Sequence, residues 1–126
     1  MNKENIIKKL KEFNFDKSGY WVLAGSAMVL HGVRPETRDI DLGCSKHFAD
    51  ELEAKGYPTV IMSDGTRRII YAEDVEIFEE WIFDKVVSVD GIPVISLDGL
   101  IEMKRNLGRK KDLLDIQMIE EFYKGR

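Results

Sequence analysis

Apolar residues recur along this chain in two different rhythms. Over 5–13, Ile6, Ile7, Leu10 and Phe13 fall at helical spacing with lysines on the other side, which predicts an amphipathic helix. The run Tyr20-Trp21-Val22-Leu23-Ala24 is continuous, as in a buried strand, and is broken by Gly25-Ser26. A short helix is expected over 27–31, and Pro35 makes 32–38 a loop. Asp39-Ile40-Asp41-Leu42 then alternates, so the two aspartates share one face of a strand and the two apolar residues the other. Phe48, Leu52 and Ala54 mark a helix over 48–56, ended by Gly56. Segments 57–62 and 67–71 are strand-like and are joined through Asp64-Gly65, a hairpin signal. A further strand is expected over 75–78, and a second hairpin pairs 86–89 with 92–95 about Asp90-Gly91. Ser96 caps a helix over 97–106 with Leu97, Leu100, Ile101 and Met103 inward. Gly108 ends it, and a last helix over 111–123 is expected to bury Leu113, Ile116, Ile119 and Phe122. The interleaving of helices and strands predicts an α/β (α+β) chain.

Composition narrows the class. The 126 residues make one domain, 1–126, with 97–123 as a C-terminal helical pair packed on it. Hydrophobic residues are 44% and charged residues 33%, ordinary for a globular protein. A net charge of -4 argues against a chain held to nucleic acid by bulk electrostatics. The single cysteine, Cys44, excludes an intrachain disulfide and fits a reducing compartment. The first 13 residues carry charges throughout, unlike a signal peptide, and no stretch reaches the roughly 20 apolar residues a bilayer needs. A cytoplasmic protein without a membrane partner is expected.

The candidate chemistry starts at the aspartates. Asp39 and Asp41 on one face repel each other, and Ile40 and Leu42 prevent the register from slipping to relieve that repulsion. A divalent, oxygen-loving cation such as Mg2+ between them is the economical answer. Glu76 sits between Val75 and Ile77 and reads as a third carboxylate, with Asp74 competing for the role by alternation. Gly25 lets backbone approach a ligand, and the amides of the following helix with the Ser26 hydroxyl favour anions; Ser26 reads equally as a plain cap. Arg34 and Arg38 read as phosphate contacts or as counter-ions to the nearby acids. Lys104 and Lys111 read as substrate contacts, or as partners of Asp112 and Asp115 and of a helix C-terminus. His31, at the end of a short helix, reads as structural, and nothing around Cys44 suggests a nucleophile.

Ala24-Gly25-Ser26 followed by Asp39-Ile40-Asp41-Leu42 resembles the nucleotidyltransferase superfamily, whose fold is that of DNA polymerase β. The nearer likeness is to small bacterial AbiEii-type and lincosamide nucleotidyltransferases, supported by the late run Gly108-Arg109-Lys110-Lys111-Asp112-Leu113-Leu114-Asp115. The resemblance spans nearly the whole chain. It implies a mixed β-sheet with flanking helices and transfer of a nucleoside monophosphate from a nucleoside triphosphate such as ATP to a hydroxyl. It implies two Mg2+ ions, replaceable by Mn2+, on Asp39, Asp41 and Glu76, which are then the catalytic and metal-binding residues. It implies nucleotide contacts from Gly25, Ser26, Arg34, Arg38, Lys104 and Lys111. The superfamily often has Asp where Glu76 stands. Acceptors in such proteins are small molecules, tRNA or protein, the last two in toxin–antitoxin relatives. Larger relatives complete the cleft with an added helical domain, which here leaves a second copy or a partner protein to do so. The competing reading is a non-catalytic nucleotide-binding or toxin–antitoxin module that keeps the fold.

Overall fold

The computed structural model describes residues 1–125. Its elements are α1 (Lys3–Phe13), β1 (Tyr20–Leu23), α2 (Ala24–His31), β2 (Ile40–Cys44), α3 (Lys46–Ala54), β3 (Thr59–Ile61), β4 (Arg67–Ala72), β5 (Val75–Glu79), β6 (Val86–Val89), β7 (Ile92–Ile95), α4 (Leu97–Leu107) and α5 (Lys110–Lys124). The seven strands form one sheet in the order β3-β4-β5-β2-β1-β7-β6. β2 runs parallel to β5 and β1 parallel to β7, while every other neighbouring pair is antiparallel. The sheet is therefore mixed, as expected.

β2 is the centre of that sheet. Ile40, Leu42 and Cys44 are wholly buried, as are Val75 and Ile77 beside them on β5 and Val22 on β1. This face packs with Ile6 and Leu10 of α1, Met28 of α2 and Ala49 of α3 in one core. Cys44 is part of it, and burial pushes its thiol up to about 12. Local chemistry sets the boundaries. Asn2, Ser45 and Ser96 accept from the first-turn amides of α1, α3 and α4. Asp90 and Gly91 both have positive φ, 51° and 79°, as the tight turn between β6 and β7 requires.

Four details depart from the sequence pattern. α2 begins directly after β1, so Gly25 and Ser26 lie within the helix rather than before it. β2 starts at Ile40, with Asp39 just ahead of it. In α3 Ala54 is exposed, and Ala49 takes the inward place. In α5 the inward stripe is Asp112, Asp115, Ile116 and Ile119, whereas Leu113 is 59% exposed. The helix is turned to present acids inward because cations on α4, the α4–α5 turn and the α2–β2 loop neutralise them.

Gly43 fixes the other face of β2. A Cβ there would lie 2.0 Å from Trp21 Nε1 and 2.8 Å from the Trp81 carbonyl oxygen. Its bareness lets Trp21 Nε1 donate to that carbonyl at 2.7 Å. We expect Gly43→Ala to break this bond and destabilise the protein by about 1–3 kcal/mol in urea denaturation, with loss of the buried Trp21 fluorescence environment. Wild-type stability in the variant would show that this packing is slack.

Candidate active site

A cleft opens on the sheet face opposite Ile40, Leu42 and Cys44. Its volume is about 620 Å3, within the range of small-molecule sites. Asp39, Asp41, Asp74, Glu76 and Phe78 line its sheet side; Met103, Lys104 and Leu107 of α4 and Lys111 and Asp115 of α5 line the other. Ala24, Gly25, Arg34 and Thr37 close one end.

The acidic wall follows from register. Asp41 on β2 lies directly opposite Glu76 on β5, and the parallel pairing puts both on the cleft face. Asp39, two residues before Asp41, stays on the same side. The Ile40 amide donates to the Asp74 carbonyl at 2.8 Å, holding this end of β2 against the β4–β5 turn. Asp74 lines the cleft too, but its carboxylate pairs with Lys9 of α1. Glu79 faces the core beside Cys44 and is bound by Arg67, which holds its carboxyl below the usual range. Of the acids on this stretch of chain, Glu76 is thus the one set opposite Asp41.

Asp41 carries the electrostatic strain. Burial, then Glu76, then Asp39 push its carboxyl up from 3.8 to about 6, against the opposing pull of Lys104 and Lys111. The repulsion expected between Asp39 and Asp41 is present, but desolvation and the strand neighbour outweigh it. Glu76 has a partner on its far side: Arg68 Nε of β4 lies 3.7 Å from its carboxylate, is buried, and makes no hydrogen bond.

The Gly-Ser corner works differently from its sequence reading. Ser26 is fully buried. Its hydroxyl donates to the Leu23 carbonyl at 2.7 Å and accepts from the Asp41 amide at 3.2 Å. It pins β2 to the start of α2 and offers no hydroxyl to the cleft, because both its bonds are spent on backbone. Gly25 does border the cleft. A Cβ there would lie 2.9 Å from Thr37 Oγ1 and 3.0 Å from Arg34 Nη1, so the bare glycine lets both side chains rest against the helix start. Ala24, at the strand–helix junction, sits at φ 54°, a left-handed conformation that costs a non-glycine residue about 1–2 kcal/mol.

The basic wall is a network. Lys104, 5% exposed, pairs with Asp115 at 3.0 Å and Asp112 at 3.5 Å. Arg34 Nη2 donates to the other Asp115 oxygen at 2.5 Å. Asp112 is fully buried; desolvation opposes its charge, but bonds from the Arg109 side chain and amide prevail and hold its carboxyl below the ordinary range. Lys111 borders the cleft and is exposed. Arg38, in the loop ahead of β2, is exposed and is not among the residues that line the cleft. His31 Nε2 bonds the Ile95 carbonyl at 2.8 Å, a structural role. The structure thus gathers Asp39, Asp41, Glu76, Gly25, Arg34, Lys104 and Lys111 around one cleft and leaves out Arg38 and the Ser26 hydroxyl.

The donor set on the sheet side consists of carboxylate oxygens, hard ligands that suit Mg2+ or Mn2+. Among the described residues, no three His, Cys, Asp or Glu side chains are close enough to hold an ion by themselves. A cation bound there would have to draw its remaining ligands from water and substrate.

No protein-family model matches this sequence, and no curated protein matches it. A solved structure does resemble it: a crystal structure from Thermotoga maritima described as a "putative nucleotidyltransferase" superposes with a TM-score of 0.62, covering 100% of this chain and 97% of that one at 19% identity. The seven-stranded mixed sheet with its flanking helices is thus a fold this chain shares with that protein over its whole described length.

Proposed function

We propose that this protein is a nucleotidyltransferase that uses Mg2+ to move a nucleoside monophosphate from a nucleoside triphosphate to a hydroxyl of an acceptor. The observation that carries the reading is the facing of Asp39, Asp41 and Glu76 against Lys104 and Lys111 across one cleft of this fold. The likeness in fold to the Thermotoga protein, described as a nucleotidyltransferase, supports the same reading.

In this reading the displacement is in line: the acceptor oxygen attacks the α-phosphorus and pyrophosphate leaves. Bound divalent cations would supply charge neutralisation at the entering and leaving oxygens and lower the pKa of the acceptor hydroxyl. Asp39 and Asp41 would hold the cation on the triphosphate, and Glu76 the one on the acceptor side. Glu76, half-exposed beside Asp41, would also take the acceptor's proton where it comes within hydrogen-bond reach. Gly25 and the amides that open α2 would receive the triphosphate, with Arg34, Lys104 and Lys111 offsetting its charge. Ser26 would act through Asp41, by fixing the backbone from which that carboxylate projects. Asp115 would act through Arg34 and Lys104, by aiming both into the cleft. The work is positioning and electrostatics, without a covalent enzyme intermediate.

The nearer likeness to AbiEii-type and lincosamide enzymes belongs to this proposal, as do a small-molecule, tRNA or protein acceptor, a second subunit or partner completing the cleft, and a cytoplasmic setting. No helix among the described residues is long and apolar enough to cross a membrane. One observation favours the second reading, a nucleotide-binding module without turnover: Arg68 Nε lies 3.7 Å from the Glu76 carboxylate and offers it a countercharge from within the protein.

Two measurements follow. With Mg2+ and a nucleoside triphosphate at 100 times its dissociation constant, the protein should gain about 2.7 kcal/mol of stability. It should also pass α-phosphate label to an acceptor in a cell extract. Asp39→Asn with Asp41→Asn should abolish both. Binding without transfer supports the module; no binding, or equal binding by the double variant, overturns both readings. The second concerns pH. Because the Asp41 carboxyl is raised in the folded state, its stabilising contribution is present below about 3.8 and is lost as pH rises through about 6. Metal-free Asp41→Asn should therefore be more stable than wild type at pH 7.5, by on the order of 2–3 kcal/mol, with the gain vanishing near pH 4. A variant no more stable than wild type at pH 7.5 would refute the strain assigned to Asp41.

A further inference from the structure

We propose that the cleft contains a subsite for a planar aromatic ring, a nucleobase, formed by Phe78 and Trp81; the inference rests on the nucleotidyl-transfer reading of the same cleft. The two rings stack with centroids 4.6 Å apart and planes 27° from parallel, and both border the cavity. The platform is anchored from behind. Phe83 meets Trp81 edge-on at 6.4 Å, and the Trp81 carbonyl is held by Trp21 Nε1 over bare Gly43. An aromatic pair already fixed in place gives up little freedom when it takes a ligand. Across the cavity stand Met103 and Leu107 of α4, the latter 38% exposed. A slot with fixed aromatic rings on one wall and adaptable aliphatic side chains on the other suits a flat ring.

Its position along the cleft gives it a use. Phe78 follows Glu76 by two residues on the same face of β5, so the two side chains lie roughly 7 Å apart. Leu23, which leads into Gly25, pairs with Asp41, whereas Phe78 pairs with Gly43 further along β2. The Gly25–Arg34–Thr37 corner and the aromatic platform therefore lie at opposite ends of the carboxylate row. An elongated ligand would place an anionic tail at the corner, its reacting phosphorus beside Asp41 and Glu76, and a ring against Phe78 and Trp81. Two molecules carry such a ring: the donor triphosphate and a nucleoside-containing acceptor.

Tryptophan fluorescence and calorimetry with Mg2+ test the subsite and separate the two sources. Inorganic tripolyphosphate should bind without quenching, because Trp81 lies away from the phosphate corner and Trp21 is buried. If the ring is the donor's, the nucleoside triphosphate alone should quench Trp81, and Phe78→Leu or Trp81→Leu should weaken it roughly 5- to 150-fold while leaving tripolyphosphate affinity unchanged. The unchanged tripolyphosphate binding also reports an intact fold. If the ring is the acceptor's, quenching should appear only when a nucleoside is added to the triphosphate-saturated protein, and the same variants should weaken that nucleoside. Triphosphate and nucleoside that bind both variants with wild-type affinity and leave wild-type fluorescence unchanged would overturn the subsite and spare the nucleotidyl-transfer reading. Failure of tripolyphosphate and every triphosphate to bind would overturn that reading and the subsite with it.

Discussion

A carboxylate at the centre of a sheet has nowhere to go. β2 is paired on both sides, by β1 and β5, and Ile40, Leu42 and Cys44 anchor its other face in the core. Slipping by one residue would put Asp41 among those side chains and expose them instead. Asp41 must therefore stand opposite Glu76 and beside Asp39, desolvated and among like charges. Much of the rest of the molecule supports or answers that placement. Ser26 fastens the Asp41 backbone to α2, and the bare backbone of Gly43 lets Trp21 cover the same strand. The left-handed Ala24 turns the chain from β1 into α2 within a single residue.

The answer comes from the helical side. Lys104 is almost completely buried, which is tolerable only because Asp112 and Asp115 accept its charge. Asp115 is shared with Arg34, so one carboxylate joins α5, α4 and the loop that closes over Gly25. The cleft is a pair of opposed charged walls, each held by its own fold elements. An anion with its cations, inserted between them, would relieve both walls at once, and this makes a polyphosphate a better fit than a neutral ligand.

Much of this was legible in the residues alone. The period of two at 39–42 and 75–78 places Asp41 and Glu76 correctly on strands, with Asp39 one residue ahead of β2, and Gly25 with Ser26 marks the corner. What periodicity cannot show is register between distant strands. That Arg68 would meet Glu76, or that Phe78 and Trp81 would stack in the cleft, depends on β4 and β5 pairing and on a turn beyond them. The apolar rule also misled at α5. Leu113 looks like core, yet the buried acids Asp112 and Asp115 take the inward stripe because cations scattered over three other segments await them. By type Ser26 suits an anion ligand or a cap; its two backbone bonds make it neither. Arg38 and Arg34 look alike in sequence, and only the path of the loop separates them.

The most direct test of the central constraint is a 13C carboxyl NMR titration of Asp41, carried out without divalent cation and again with saturating Mg2+. Crowding and burial predict a midpoint near 6 in the first titration and a marked fall in the second, as the cation takes the place of the proton. An Asp41 that titrates near 3.8 without cation, or whose raised midpoint is indifferent to Mg2+, would contradict the account.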